Sequence, residues 1–253
     1  MSGASMQVSV IPSGSMLIDY SQLFWNHNPG VSVRHPVFSI LIEHPDGRVL
    51  IDTGFDLDHV SSALPFVEPL HDSGGALAEG LQAAGLSPGD IDYLLHTHLH
   101  FDHVGADAQM SRATVFAQRD EVRQARMPES FEALSYSDQR FFAPGVHVEL
   151  IDGDTEVLPG IEMLETPGHS AGHCSVLLTG ASGRRLLFCG DAAYTRQNLD
   201  RTIISGFHLD PVTSVRSIRR LQRLAREHEA ILWFPHDAEE FRTYPIAPDQ
   251  LSL

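Results

Sequence analysis

Short runs of aliphatic and β-branched residues alternate along this chain with polar stretches marked by Gly and Pro, and that pattern lays out its elements. MQVSVI, VFSILIEH and RVLIDTG are predicted as strands, and Pro45-Asp46-Gly47 supplies the tight turn of a β-hairpin between the last two. The intervening LIDYSQLFWNHNPGVSVRHP is too polar for a core strand and too broken for a helix, so it reads as an irregular loop able to overhang a site. Residues 74–85 have helical composition and are stopped by Ser87-Pro88-Gly89-Asp90 before the strand IDYLL. A strand ATVFAQ follows, then helices near 119–126 and over 128–141, then the strand runs VHVELI, VLPGIEMLET, CSVLLTG and RRLLFCGD. Near 212–228, Val212, Val215, Ile218, Leu221 and Leu224 recur at threes and form one apolar face, with arginines over the rest. AILWFPHD is the last strand. This order predicts an α/β architecture in which two mixed β-sheets are sandwiched between helices, with no repeat or linker and hence one domain over 1–253.

Composition narrows the partners. Hydrophobic residues make up 42% and charged residues 20% of the 253 positions, as in an ordinary globular protein. The net charge of -16 repels nucleic-acid phosphates and anionic membrane surfaces, so neither is an expected partner, and the arginines of the last helix read as a solvated face. No stretch reaches transmembrane length and the start, MSGASMQVSVIPSGSM, lacks a signal-peptide pattern, so a cytoplasmic protein is expected. Cys174 and Cys189 sit in the apolar runs CSVLL and LLFC, where a thiol behaves as a small hydrophobe, and no disulfide is expected.

The chain holds 15 histidines, and their spacing carries the chemistry. Residues 94–105 read LLHTHLHFDHVG, so His98, His100, Asp102 and His103 follow an apolar strand at its carboxyl end. An extended stretch sends His98 and His100 to the same side, and a turn starting near Phe101 redirects Asp102 and His103, so one segment can serve two adjacent metal sites. Imidazole and carboxylate suit a borderline ion such as zinc. Partners stand where other apolar runs break: His169 in TPGHSAGH, Asp191 in LLFCGDAAY and His236 in LWFPHD. His173 is expected to shape the loop behind His169, His96 to sit one step back along its strand, and Asp52 in IDTG to orient a ligand from behind.

The series His98-x-His100-x-Asp102-His103, His169, Asp191, His236 resembles the metallo-β-lactamase superfamily and spans most of the chain. The resemblance implies that fold, with two Zn2+ ions: His98, His100 and His169 would hold one, Asp102, His103 and His236 the other, and Asp191 would bridge them. Other divalent transition metals suit the same ligands. Two adjacent cations lower the pKa of bound water towards about 7, so a hydroxide nucleophile is expected and no serine or cysteine is needed.

Tyr194, in GDAAYT, resembles the tyrosine that N-acyl-homoserine lactonases direct at the substrate carbonyl, which implies a catalytic phenol beside the catalytic carboxylate Asp102. The segments FWNHNPG, VRHPVFSILIEHPDGRVLIDTGFDLDHV, SYSD, GFHLDPV and FRTY are similar to those of 4-pyridoxolactonases. A small lactone, 4-pyridoxolactone-like, is therefore the expected substrate, with N-acyl-homoserine lactone the alternative and a glyoxalase II-like thioester a remoter one. Phe24, Trp25, Phe101, Phe207 and His208 are the candidate substrate-binding residues. Monomer and homodimer are both compatible with the sequence. The chain lacks the extra helical region of glyoxalase II, the basic surface of the superfamily's ribonucleases and the flavin domain of its redox members. Asp191 itself argues against a β-lactamase, and a purely structural zinc site would be closed and cysteine-rich.

Overall fold

The computed structural model describes residues 4–71 and 76–253. Among the described residues twelve strands form two sheets: β1 (Gln7–Asp19), β2 (Ser32–His44), β3 (Gly47–Ile51), β4 (Tyr93–Leu95), β5 (Thr114–Gln118), β6 (His147–Ile151), β7 (Thr155–Leu158), β8 (Ile161–Glu165), β9 (Cys174–Thr179), β10 (Arg185–Phe188), β11 (Ile231–Trp233) and β12 (Leu251–Ser252). The first sheet runs β12-β1-β2-β3-β4-β5-β6 and the second β11-β10-β9-β8-β7. Both are mixed. β1, β2 and β3 pair antiparallel and β3 to β6 parallel, while β7 to β10 pair antiparallel and β11 joins β10 in parallel.

The period of two along each strand divides the side chains between two cores. Ile40, Ile42, Val49, Ile51 and Leu95 face Val176, Leu178, Leu186 and Phe188 of the other sheet in the central core. Their neighbours Leu41, Leu50 and Leu94 turn outwards and are covered by α3 (Leu77–Ala83) and α4 (Arg119–Arg126). Leu177 and Leu187 are likewise covered by α5 (Arg196–Arg201) and α6 (Pro211–His228). Both faces of each sheet are thus apolar, which is why the strand runs read as nearly continuous hydrophobic segments. No helix of the described residues is long and apolar enough to cross a membrane.

Three predicted elements differ. VLPGIEMLET, expected as one strand run, is a hairpin of β7 and β8 that turns at Pro159-Gly160. The loop expected from Leu17 to Pro36 is largely strand, because Leu17↔Arg34, Ile18↔Val33 and Asp19↔Ser32 extend the β1–β2 ladder; only the stretch around α1 (Tyr20–Leu23) leaves it. Ladder hydrogen bonds outweigh the polar side chains there. The helix expected over 128–141 is instead a string of turns closed by Glu132 N on Glu129 O, Ser135 N on Glu132 O and Ser137 N on Leu134 O. Its side chains bond to their own turns, as when Glu132 accepts from Glu129 N at 3.0 Å, and so compete with a continuous helix. The first residues of the helix expected at 74–85 lie outside the described residues.

Candidate metal centre

Every member of the histidine and aspartate cluster stands just past the carboxyl end of a strand. Asp52 follows β3, the His98–His103 segment follows β4, His169 follows β8, Asp191 follows β10 and His236 follows β11. The two sheets therefore meet at this rim, one supplying four of the seven candidate ligands and the other three. A turn closed by His103 N–H on His100 O (2.9 Å) folds the β4 segment so that Asp102 and His103 face away from His100. Gly105 follows, packed so closely on the backbone of Phe55 and Asp56 that no side chain fits.

The geometry falls into two groups around one carboxylate. Nε2 of His98, Nδ1 of His100 and Nε2 of His169 lie 3.0, 3.1 and 3.0 Å from one another. Asp102, His103 and His236 form the second group, with Nε2 of His103 and of His236 at 3.6 and 3.9 Å from Asp102 Oδ2. Asp191 stands between: its Oδ2 is 3.8 Å from His98 and 3.4 Å from His169, and its Oδ1 is 3.6 Å from His103 and 3.5 Å from His236. One carboxylate oxygen thus faces each group.

Outer hydrogen bonds set the protonation of the rings. Nδ1 of His169 donates to Phe207 O (2.8 Å), Nδ1 of His236 to Pro36 O (3.0 Å) and Nδ1 of His103 to Asp52 (2.8 Å). Thr97 Oγ1 donates to Asp52 (2.7 Å) and accepts from His98 Nδ1 (3.1 Å). Each of these four rings then directs a bare Nε2 at the cluster centre. Converging lone pairs without protons between them are unfavourable unless a cation takes them up. Nε2 of His103 and Oδ1 of Asp191 are, moreover, buried without a hydrogen-bond partner, so the residues present fit a pair of metal ions.

The electrostatics agree. Burial, followed by repulsion from neighbouring imidazoles, holds His98 and His100 well below the usual histidine range, in the neutral form that binds metal. Burial opposes charge on His103 too, but Asp102, Asp52 and Asp191 override it and raise its pKa well above the usual value. A potential that holds a proton there also favours a metal cation. Burial would raise the pKa of Asp52, yet His103 and His96 pull it down to about 2. Asp52 sits at φ +57°, a left-handed conformation that aspartate tolerates better than most residues, and this aims its carboxylate at both Thr97 and His103.

Beside the cluster lies a cavity of about 230 Å³ whose floor includes His100, Asp102, Asp191 and His236. Tyr194 borders it, 5% exposed, its ring 4.8 Å from that of His236. Burial first, then Asp191 and Asp102, keeps the phenol pKa well above its usual value, so it stays a neutral donor. Phe101 and Phe207 line the cavity. Phe24, Trp25 and His208 do not. Phe24 is buried behind Tyr194 in a cluster with Ile18 and Leu23, and Trp25 lines a separate groove beside α6 while packing edge-on against His208. His208 bonds to Ser205 O at 2.9 Å and anchors its loop. Phe24 closes the α1 turn, its N donating to Tyr20 O, and Trp25 is tied through its N to Ile204 O with its ring left 42% exposed, so neither is aimed at the cavity.

The apolar wall comes mainly from Met16, Leu64, Phe66, Phe131 and Leu134, none of which the sequence marks as special. His173 bonds through Nδ1 to Thr166 O (3.0 Å) and accepts from Asp191 N (2.8 Å), so it links the His169 loop to the bridging aspartate. His96 lies one step back, 2.9 Å from Asp107; burial opposes its charge, and Asp107 and Asp52 overcome it to raise the pKa to about 9. Cys174 and Cys189 are free and buried, and burial pushes the Cys174 thiol up to about 12, which removes it as a nucleophile.

This geometry has recognisable relatives. The Metallo-beta-lactamase superfamily profile matches residues 33–236. An N-acyl homoserine lactonase of Bacillus thuringiensis is 30% identical over 250 residues, covering 95% of this chain and 97% of its own. The N-acyl homoserine lactonase AttM of Rhizobium radiobacter is 28% identical over 257 residues, covering 96% and 98%. Among solved structures, an N-acyl homoserine lactone hydrolase with the product N-hexanoyl-L-homoserine at its catalytic metal centre superposes with a TM-score of 0.87 at 28% identity, over 98% of this chain and 100% of that one. The chain belongs to the metallo-β-lactamase superfamily. Within it, these relatives are lactonases.

Proposed function

We propose that this chain hydrolyses the ring ester of N-acyl homoserine lactones, with two zinc ions held by His98, His100 and His169 on one side and by Asp102, His103 and His236 on the other, Asp191 bridging. The observation that carries this reading is the apolar cavity opening onto that cluster, in a chain aligned over nearly its whole length with N-acyl homoserine lactonases. Bound divalent ions supply Lewis-acid chemistry towards an ester carbonyl and make water more acidic. The chain supplies the rest. The Tyr194 hydroxyl, neutral at working pH, donates to the carbonyl oxygen as negative charge develops there. Water oxygen adds to the carbonyl carbon, the ring C–O bond breaks, and the Asp102 carboxylate carries the proton from the water to the departing alkoxide. Phe101, Phe207 and the exposed Phe66 and Phe131 at the cavity mouth cover the acyl arm.

A 4-pyridoxolactone substrate rests on the resemblance of FWNHNPG, GFHLDPV and the other flanking segments. Phe24, Trp25 and His208 stand away from the cavity and are not available to sandwich a flat bicyclic ring, which leaves Phe207 and His35 of those segments along its wall. The relatives favour the acyl-homoserine reading over it. The test is a comparison of kcat/KM for N-hexanoyl and N-decanoyl homoserine lactone with that for 4-pyridoxolactone on metal-loaded enzyme. The acyl-homoserine lactones are expected to win; a higher value for 4-pyridoxolactone would reverse the assignment.

A further inference from the structure

Glu121 lies outside the seven candidate ligands, yet its carboxylate joins the segments that carry three of them. Oε1 accepts from Leu99 N (3.0 Å) and from the Tyr136 hydroxyl (2.9 Å); Oε2 accepts from Ser170 Oγ (2.6 Å) and Gly172 N (2.9 Å). Leu99 stands between His98 and His100, Ser170 follows His169, and the Tyr136 ring rests edge-on against His100 with centroids 4.7 Å apart. Glu121 is 1% exposed, so these donors meet its four acceptor positions without competition from bulk water. Gly172 approaches so closely that a side chain there would run into the Glu121 backbone nitrogen. The main chain also joins the two loops where Cys174 N donates to Thr97 O at 2.7 Å. One fastening fixes a distance; a second, at the other end of the loops, fixes an orientation.

We propose that Glu121 is a positioning residue for the metal site of His98, His100 and His169, holding loops from opposite sheets so that three imidazole nitrogens converge, without itself touching metal or substrate. The inference rests on the metal assignment made under Proposed function. In Glu121→Gln the volume is kept, but one oxygen becomes an NH2 that faces donors, and two of the four bonds are lost. Ser170→Ala and Tyr136→Phe each remove one donor and leave the charge in place.

The test titrates full-length, metal-stripped wild type and these three variants with Zn2+ against a chromophoric chelator, and with Co2+, whose visible absorption reports coordination geometry. In Glu121→Gln one of the two binding steps is expected to weaken about 10- to 100-fold, with an altered cobalt spectrum at that step and the other step kept. Ser170→Ala and Tyr136→Phe should weaken the same step by less. Wild-type affinity at both steps in all three variants overturns the proposal, as does a weakening of both steps alike in parallel with a lower Tm. Should Glu121→Gln fail to fold, the two single-donor variants decide the matter by the same criteria. A wild-type protein that binds fewer than two ions overturns the metal assignment itself, and Glu121's role with it.

Discussion

Asp52 Oδ2 lies 2.8 Å from Nδ1 of His103, the nitrogen opposite the one that faces Asp191. The contact makes His103 a stronger electron donor at Nε2 and fixes its ring plane. Asp52→Asn keeps a residue that tolerates the left-handed backbone and keeps an acceptor for Thr97 N, but deletes the charge. Affinity for the metal next to His103 is expected to fall about 10- to 100-fold, read by chelator competition. Unchanged affinity would show that the ring needs no such partner.

Purified protein is expected to carry close to two metal ions per chain by elemental analysis, and a strong chelator should abolish lactone hydrolysis. Stripping the ions leaves imidazole lone pairs facing one another within about 3 Å and Asp191 Oδ1 bare, so Tm should drop as well. Both losses should reverse on adding Zn2+. Full activity in metal-free protein would sink the dinuclear reading.

Tyr194→Phe removes one phenolic donor and leaves the metal ligands alone. kcat and kcat/KM should fall together, by about a hundredfold, because the lost hydrogen bond belongs to the developing oxyanion, and metal content should not change. Asp102→Asn should lose activity and metal together. If Tyr194→Phe alters KM alone, the phenol serves ground-state binding.

Phe66 is 65% exposed at the cavity mouth, so its truncation should not unfold the chain. Phe66→Ala is expected to raise KM for N-decanoyl homoserine lactone about fivefold, equivalent to about 1 kcal/mol of lost apolar contact, and to leave N-butanoyl homoserine lactone nearly unaffected. Equal effects on both chain lengths would place the acyl arm elsewhere.

The sheets and the cluster were legible because each depends on a local pattern. Apolar runs mark the strands, and His98-x-His100-x-Asp102-His103 compresses four chemistry-bearing side chains into one strand end. The cavity wall was not, since Phe66, Phe131 and Leu134 come from turns with no period to read. The 128–141 segment has the composition of a helix, yet it folds as turns tied to distant residues, where Phe101 N donates to Ser135 O and the Tyr136 hydroxyl to Glu121. Glu121 is the clearest omission. In sequence it is an acidic residue in the first turn of a helix, and nothing local says that its carboxylate reaches Leu99 and Gly172.

The division of ligands between the sheets has a consequence for biosynthesis. His98, His100, Asp102 and His103 leave the ribosome long before His169, Asp191 and His236, which follow β8, β10 and β11. A nascent chain that has made only the first set presents an incomplete, open claw of imidazoles. On the proposed assignment the site of His98, His100, His169 and Asp191 is complete only once β10 has emerged, and that of Asp102, His103 and His236 only once β11 has docked beside it, so metal capture would follow the folding of the second sheet instead of starting it.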